Sequence, residues 1–323
     1  MFKTRFTELA GIQHPIMQGG MQHLGIPALA SAVSNAGGLG TINITIYPEL
    51  TDFEDALKQM KDLTDKPFAV NFSFTPGLNQ GEKVRKYIEL CQKHGVPLAE
   101  TAGRSPKEFM PDFKAAGMKV IHKCVAVKHA LSAQSIGVDA ITMDGWECAG
   151  HPGLDMVGTF VLTNAAARAL TVPVLAAGGV ADGRGLAAAL ALGAQGVTVG
   201  TRFVASQECV IHQNFKDAIV NAKENDTLIC QRSIGNQARY MKNATAQKAL
   251  ALDEAKAGVE ETLAVVSGAK SKECYVTGDT EGCVFTIGQC AGLIHDVPSV
   301  KEIIDGMLAE AGSVIDGLGA MRS

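Results

Sequence analysis

A chain of 323 residues, 46% apolar and 19% charged, can bury a large core and is neither disordered nor fibrous. Its net charge of −4 argues against a surface dedicated to nucleic acid or anionic membrane, so neither partner is expected. The eight cysteines contain no C-x-x-C pair, which reads as reduced, packed thiols of a cytoplasmic protein and speaks against a structural metal site.

In chain order, the opening MFKTRFTELAG lacks the apolar run of a secretory signal. Short apolar runs at 15–19, 39–44, 68–74, 98–103, 119–125, 140–145, 172–179 and 196–203 then predict eight strands. Between them lie helical patterns such as PELTDFEDALKQMKDL (48–63) and GRGLAAALALGA (183–194). Strict β/α alternation implies parallel strands with right-handed crossovers. Eight strands before Ala205 imply a closed (β/α)8 TIM barrel, an α/β fold. The stretch 185–201 is broken by glycines and is no membrane span. Residues 1–206 are assigned to the barrel. Residues 207–323 read as a second, mainly helical domain covering the barrel mouth, interrupted by SIGNQ (233–237) and VTGDTEGCVFTIGQCAG (276–292). A last amphipathic helix near 300–311 is expected to pack back on the barrel.

In such a barrel the chemistry belongs to the loops after the strands' C-terminal ends. The candidates there are QGGMQ (18–22), Asn71 in the third strand and Lys123 in the fifth. DGWECAGHPG (144–153), with His151, follows the sixth strand. Ala177-Gly178-Gly179 follows the seventh and Gly200-Thr201 the eighth. Two glycine turns on neighbouring strands favour an anion held by bare N–H groups, although tight βα turns alone would also use glycine. A lysine among apolar neighbours needs an anion, either a ligand's or a barrel carboxylate's. An accessible imidazole beside that site can move a proton near neutral pH. GGLGTI (37–42) lacks the last glycine and the acid of a dinucleotide fingerprint, and no GK[ST] occurs.

HPIMQGGMQ (14–22), PFAVNFSF (67–74), KVIHKCVAVKHA (119–130), DGWECAGHPG and AAGGVADGRGLAAALALGAQGVTVGTRF (176–203) stand in that order. With them the chain resembles, over nearly its whole length, the flavin-dependent nitronate monooxygenase family, formerly called 2-nitropropane dioxygenases. That superfamily is similar to flavin-dependent enoyl-acyl-carrier-protein reductases and includes NADH:quinone reductases. HPIMQGGMQ and ECAGHPG are closest in wording to the latter subgroup.

The resemblance implies FMN held non-covalently at the barrel mouth. Its phosphate would lie on Gly178, Gly179, Gly200 and Thr201, next to Ala177. Its ring would lie against Gly19, Gly20 and Met21, with Asn71 and Lys123 bonding the polar edge and Ala149 and Gly150 passing close. His151 matches the family's active-site histidine. The implied activity is oxidation of alkyl nitronates, of the propionate 3-nitronate type, with O2. The alternative is NAD(P)H:quinone reduction on the same FMN, and a barrel holding a phosphate ligand without catalysis is a third reading. HLG (23–25) and TPGLNQ (75–80) are this chain's own and are expected to line the substrate entrance. The expected partners are small molecules, and a homo-oligomer is left open.

Overall fold

The computed structural model describes residues 2–74 and 81–321. Helix α1 (Arg5–Ala10) comes first, opened by a capping box in which Thr4 and Thr7 satisfy each other's backbone N–H groups. Eight strands follow the apolar runs: β1 (Ile16–Gln18), β2 (Gly40–Asn43), β3 (Phe68–Phe74), β4 (Leu98–Gly103), β5 (Lys119–Cys124), β6 (Ala140–Asp144), β7 (Val174–Ala177) and β8 (Gly196–Val199). Helices α2 (Pro27–Asn35), α3 (Leu50–Leu63), α4 (Gly81–Lys93), α5 (Met110–Ala115), α6 (Val127–Ser135), α7 (Thr159–Ala169) and α8 (Gly183–Ala191) connect them. In α3 the buried residues Phe53, Ala56, Leu57 and Met60 recur at helical spacing, so one face packs on the barrel and the other is free for charge.

All eight strands are parallel and hydrogen-bonded in the order β1-β8-β7-β6-β5-β4-β3-β2. The seam between β1 and β2 is closed by a parallel bridge at Met17 and Leu39. There Leu39 N–H donates to Ile16 O and Gln18 N–H to Leu39 O, both at 2.9 Å. The buried Gln18 amide completes the seam, donating to Thr41 O at 2.9 Å and accepting from Thr41 N–H at 3.3 Å. The ring is a (β/α)8 TIM barrel.

The barrel interior changes character along its axis. At its floor Met17, Leu39, Ala69, Leu98, Ile121, Ala140 and Leu175 form one apolar cluster, plugged by Phe6 of α1. Gly196 makes room for that plug, because a Cβ there would lie 2.9 Å from the Phe6 ring. Two residues further along the strands the inward positions turn polar, at Asn71, Glu100, Lys123, Thr142 and Thr198. The Thr142 and Thr198 hydroxyls meet at 3.1 Å although β6 and β8 are not neighbours, so both point inward.

Most strands end within a residue or so of their apolar runs, but β7 and β8 are half as long as the sequence predicts. β7 stops at Ala177 rather than 179, because Gly178 and Gly179 take φ of +85° and +80° and leave the extended region. β8 stops at Val199 rather than 203, because the chain coils at Gly200 into the short helix α9 (Thr201–Val204). The Phe203 and Val204 N–H groups turn back onto Gly200 O at 2.9 and 3.2 Å.

Past α9 the alternation ends. Helix α10 (Gln213–Val220) precedes an antiparallel hairpin of β9 (Thr227–Cys230) and β10 (Ala238–Met241), which the sequence reading does not contain. Helices α11 (Ala244–Glu254), α12 (Val259–Val265), α13 (Gly268–Thr277) and α14 (Val300–Ala320) complete the order. Phe215, Tyr275 and Phe285 stack edge to face with centroids 4.8–5.9 Å apart, in one apolar cluster with Val197, Val199 and Phe203 of the barrel. Helix α14 lies on α8 and α2, burying Ile303, Ile304, Met307 and Ala311. Gly183 lets the two backbones approach, since a side chain there would collide with Met307 O. All eight cysteines are free and buried.

Candidate functional site

Glu100 is the hub of the mouth. It is fully buried, and its Oε2 accepts from the Gly20 N–H at 2.8 Å and from Asn71 Nδ2 at 2.6 Å. Its Oε1 faces the Lys123 ammonium at 3.2 Å and takes no other donor among the described residues. Burial alone would lower the Lys123 pKa, but the Glu100 and Asp144 charges outweigh it, so the ammonium stays charged. Asp144, at the end of β6, is pushed the other way: burial and the like charge of Glu100 raise its pKa, against the pull of Lys123. The sequence reading missed Glu100, although a lone acid inside the apolar run LAETAG was a signal.

The predicted residues of the first loop and third strand sit around this hub. Gly20 is required by Asn71, whose side chain occupies the space that a Cβ on Gly20 would fill. Asn71 Oδ1 also accepts from Ser73 Oγ at 2.9 Å, so both ends of the amide are engaged. A Cβ on Gly19 would lie 3.6 Å from Lys123 Nζ. Met21 is half-buried against the cluster shared with the C-terminal region. Two residues on, His23 takes φ of +63° and packs on Tyr275 of α13, with ring centroids 6.4 Å apart. TPGLNQ (75–80), the other expected entrance segment, lies outside the described residues.

The turns after the last two strands present a set of backbone N–H donors, a candidate anion cradle. Among the described residues no protein acceptor meets the N–H groups of Gly178, Gly179, Gly200 or Thr201. The N-terminus of α8 is not part of it, because Asp182 takes the Gly185 N–H and Glu310 takes the Gly183 N–H, each at 2.8 Å. Thr201 Oγ accepts from the Gly288 N–H at 3.0 Å, which fixes the hydroxyl in place and leaves its own O–H as a donor. Ala177 O accepts from the Gly145 N–H at 2.9 Å, tying the cradle to the loop that carries the histidine.

That loop runs from Asp144 to Gly158. Gly150 takes φ of +69°, and its backbone pairs with Arg239 of β10. Glu147 turns its carboxylate to the N–H and hydroxyl of Thr159, at 2.8 and 2.9 Å, anchoring the loop to the start of α7. Its carbonyl accepts from the Gln289 N–H at 3.0 Å. Burial pushes the Cys148 thiol well up, which makes Cys148 a packing residue between Gly178 and the loop rather than a nucleophile. His151 keeps access to water, yet the surrounding walls desolvate it enough to lower its pKa below 6.5, so its neutral form dominates at pH 7. A groove of about 460 Å³ lined by Pro48, Leu50, Glu82, Lys83 and Lys86 lies elsewhere, at the starts of α3 and α4.

The polar and charged residues gather at the C-terminal end of the strands, where (β/α)8 barrels as a class carry their active sites. More narrowly, the chain belongs to the nitronate monooxygenase family, an oxidoreductase family whose sequence model matches residues 3–310. It is 36% identical to FabK from Thermotoga maritima, with a TM-score of 0.92 over 99% of this chain and 100% of that one. It is 34% identical to a (3aS,4S,5R,7aS)-5-hydroxy-7a-methyl-1-oxo-octahydro-1H-indene-4-carboxyl-CoA dehydrogenase of Rhodococcus jostii (strain RHA1), over 99% of both chains. Identity to a probable nitronate monooxygenase of Staphylococcus aureus (strain Newman) is 33%, over 75% of this chain and 79% of that one. A nitroalkane oxidase from Streptomyces ansochromogenes shares the fold at 22% identity, with a TM-score of 0.83 over 97% of this chain and 99% of that one.

Proposed function

We propose that this protein is an FMN-dependent oxidoreductase that oxidises alkyl nitronates of the propionate 3-nitronate type with O2. The observation that carries the reading is the pairing of four N–H groups that meet no acceptor among the described residues with an accessible histidine, neutral at pH 7, on the adjoining loop. Gly178, Gly179, Gly200 and Thr201 would hold the phosphate of FMN, beside Ala177. Gly19, Gly20 and Met21 would flank its ring, with Ala149 and Gly150 passing close, and Lys123 and Asn71 would face its polar edge. Bound FMN would supply the two-electron acceptor that no side chain provides.

The protein's own groups do the rest. Neutral His151 accepts a proton from the α-carbon of a nitroalkane, or donates its N–H to a nitronate oxygen. The permanently charged Lys123 stabilises negative charge that develops at the mouth. Glu100 keeps that cation in place and keeps Asn71 oriented.

The test is oxygen consumption by the FMN-loaded protein with propionate 3-nitronate and with neutral nitroalkanes. His151→Ala should lower nitroalkane turnover by about 10²–10⁴-fold, the usual worth of a general base. Because the His151 pKa is lowered, the acid limb of kcat/KM should fall off below pH 6.5, as the imidazole takes up its proton. No oxygen uptake with any nitronate would end this reading.

A second reading is oxidoreduction at an acyl-CoA thioester. It is favoured because the match to a CoA dehydrogenase covers 99% of the chain, against 75% for the probable nitronate monooxygenase. Anaerobic mixing with an acyl-CoA panel, and with NADH followed by a quinone, separates this reading and the quinone reductase from the first.

A further inference from the structure

The hairpin of β9 and β10 ends on the histidine loop, and one side chain makes most of the connection. Arg239 is only 3% exposed. Its Nε donates to Cys148 O at 3.0 Å, its Nη2 to Trp146 O at 2.8 Å and its Nη1 to Thr227 Oγ at 2.8 Å. The guanidinium also lies over the Trp146 ring, 5.2 Å from its centroid. The Arg239 backbone adds a reciprocal pair: its N–H donates to Gly150 O at 2.6 Å, and the Gly150 N–H returns to Arg239 O at 3.4 Å. Two residues earlier, the buried Gln237 amide donates to Pro152 O at 2.7 Å. The hairpin therefore grips residues 146, 148, 150 and 152, on both sides of His151.

A buried guanidinium is a costly way to fill space, because it leaves water without a counter-charge. Among the described residues no carboxylate pairs with Arg239. Glu147 is near enough to favour the cation, but its carboxylate is committed to Thr159. An apolar side chain would pack the same gap without that cost. What it could not do is bond two carbonyls of one loop while stacking on that loop's indole, a task suited to a planar fork of donors.

We propose that Arg239 is a positioning residue, whose guanidinium fixes the 146–152 loop in the conformation that presents His151 to the barrel mouth. The inference rests on reading His151 as the group that acts on substrate. SIGNQ, the glycine-rich interruption just before β10, then has a purpose: it carries Gln237 and brings Arg239 to the loop.

The experiment compares the FMN-loaded wild type with Arg239→Ala, Arg239→Lys and Gln237→Ala. It measures amide hydrogen exchange peptide by peptide, and kcat and KM with propionate 3-nitronate. In Arg239→Ala, exchange across 146–153 should accelerate about tenfold or more, while peptides over 196–206 stay within about twofold. The kcat should fall about 100-fold with little change in KM, as expected when a reacting group is displaced while the binding surface survives. Arg239→Lys should follow the alanine variant, because an ammonium cannot bridge both carbonyls, and Gln237→Ala should move the same way by less.

A wild-type kcat in Arg239→Lys would overturn the proposal, as would exchange that rises evenly along the chain or not at all in the loop. Should Arg239→Ala fail to fold, the lysine and Gln237 variants still decide. Exchange needs no turnover, so it judges the grip even if His151→Ala turns out fully active and the reading of His151 itself fails.

Discussion

The two halves of the barrel interior are made by the same eight strands and hold opposite things. The floor is Met17, Leu39, Ala69, Leu98, Ile121, Ala140 and Leu175 under Phe6, without a polar atom among their side chains save one thioether sulfur. The mouth is Asn71, Glu100, Lys123, Thr142 and Thr198, with Asp144 at its edge. Leu98 and Glu100, Ile121 and Lys123, and Ala140 and Thr142 are each two residues apart on one strand, a step of about 7 Å along the strand. The change from packing to electrostatics therefore happens within one side-chain layer. Burial stabilises the floor directly. The mouth holds charges whose desolvation is offset only while each keeps its partner, which is the arrangement expected of a binding site.

The sharpest way to break that contrast is a pair of variants one layer apart. Glu100→Ala strips Lys123 of its counter-ion and Gly20 and Asn71 of their acceptor, and should cost about 3–5 kcal/mol in urea unfolding. It should also abolish tight FMN binding. Ile121→Ala should cost about 2–5 kcal/mol by leaving a cavity, yet keep FMN affinity within about twofold. Equal loss of FMN in both variants would erase the distinction between floor and mouth.

The outer wall of the barrel gives a smaller test. His122 is buried on the helix side of β5, with Nδ1 2.8 Å from Thr101 Oγ, and burial lowers its pKa to about 4. Between pH 4 and 6.5 the unfolded chain binds a proton that the folded chain refuses. Stability should therefore fall as pH drops through this window, by about 3 kcal/mol in total from this group. Urea midpoints across pH 4–7 measure the slope, and His122→Gln should flatten it. An unchanged slope in that variant would assign the effect to other groups.

The smallest contrast lies within the cradle. Alanine at Gly178 or Gly179 must adopt a left-handed φ, at about 1–2 kcal/mol each. At Gly178 the new Cβ would also stand 2.8 Å from Cys148 N, whereas at Gly179 its nearest neighbour is 3.6 Å away. Gly178→Ala should thus lower both Tm and FMN affinity more than Gly179→Ala.

The strands were legible because each is an apolar run bounded by turn residues, and α3 because Phe53, Ala56, Leu57 and Met60 keep helical spacing. β7 and β8 end well before their apolar runs do, since composition alone does not say where Gly178 or Gly200 leaves the extended region. Glu100 escaped notice because its meaning depends on Gly20, Asn71 and Lys123, which three other elements deliver only when the barrel closes. The hairpin escaped for a related reason. Its strands are four residues long, and Arg239 looks like a surface charge until Trp146 and Cys148, more than 90 residues earlier, lie against it. The glycine turns and His151 could be singled out because strand ends are local features. The bonds that organise them are not.

The claim on which the account turns is that backbone N–H groups after β7 and β8 grip the phosphate of a flavin. Titrating the apoprotein with FMN and with riboflavin, followed by flavin fluorescence, tests it most directly. Several charge-assisted hydrogen bonds to one phosphate should make FMN bind at least about 100-fold more tightly than riboflavin. Equal affinity for the two, or no binding of either, would contradict the account.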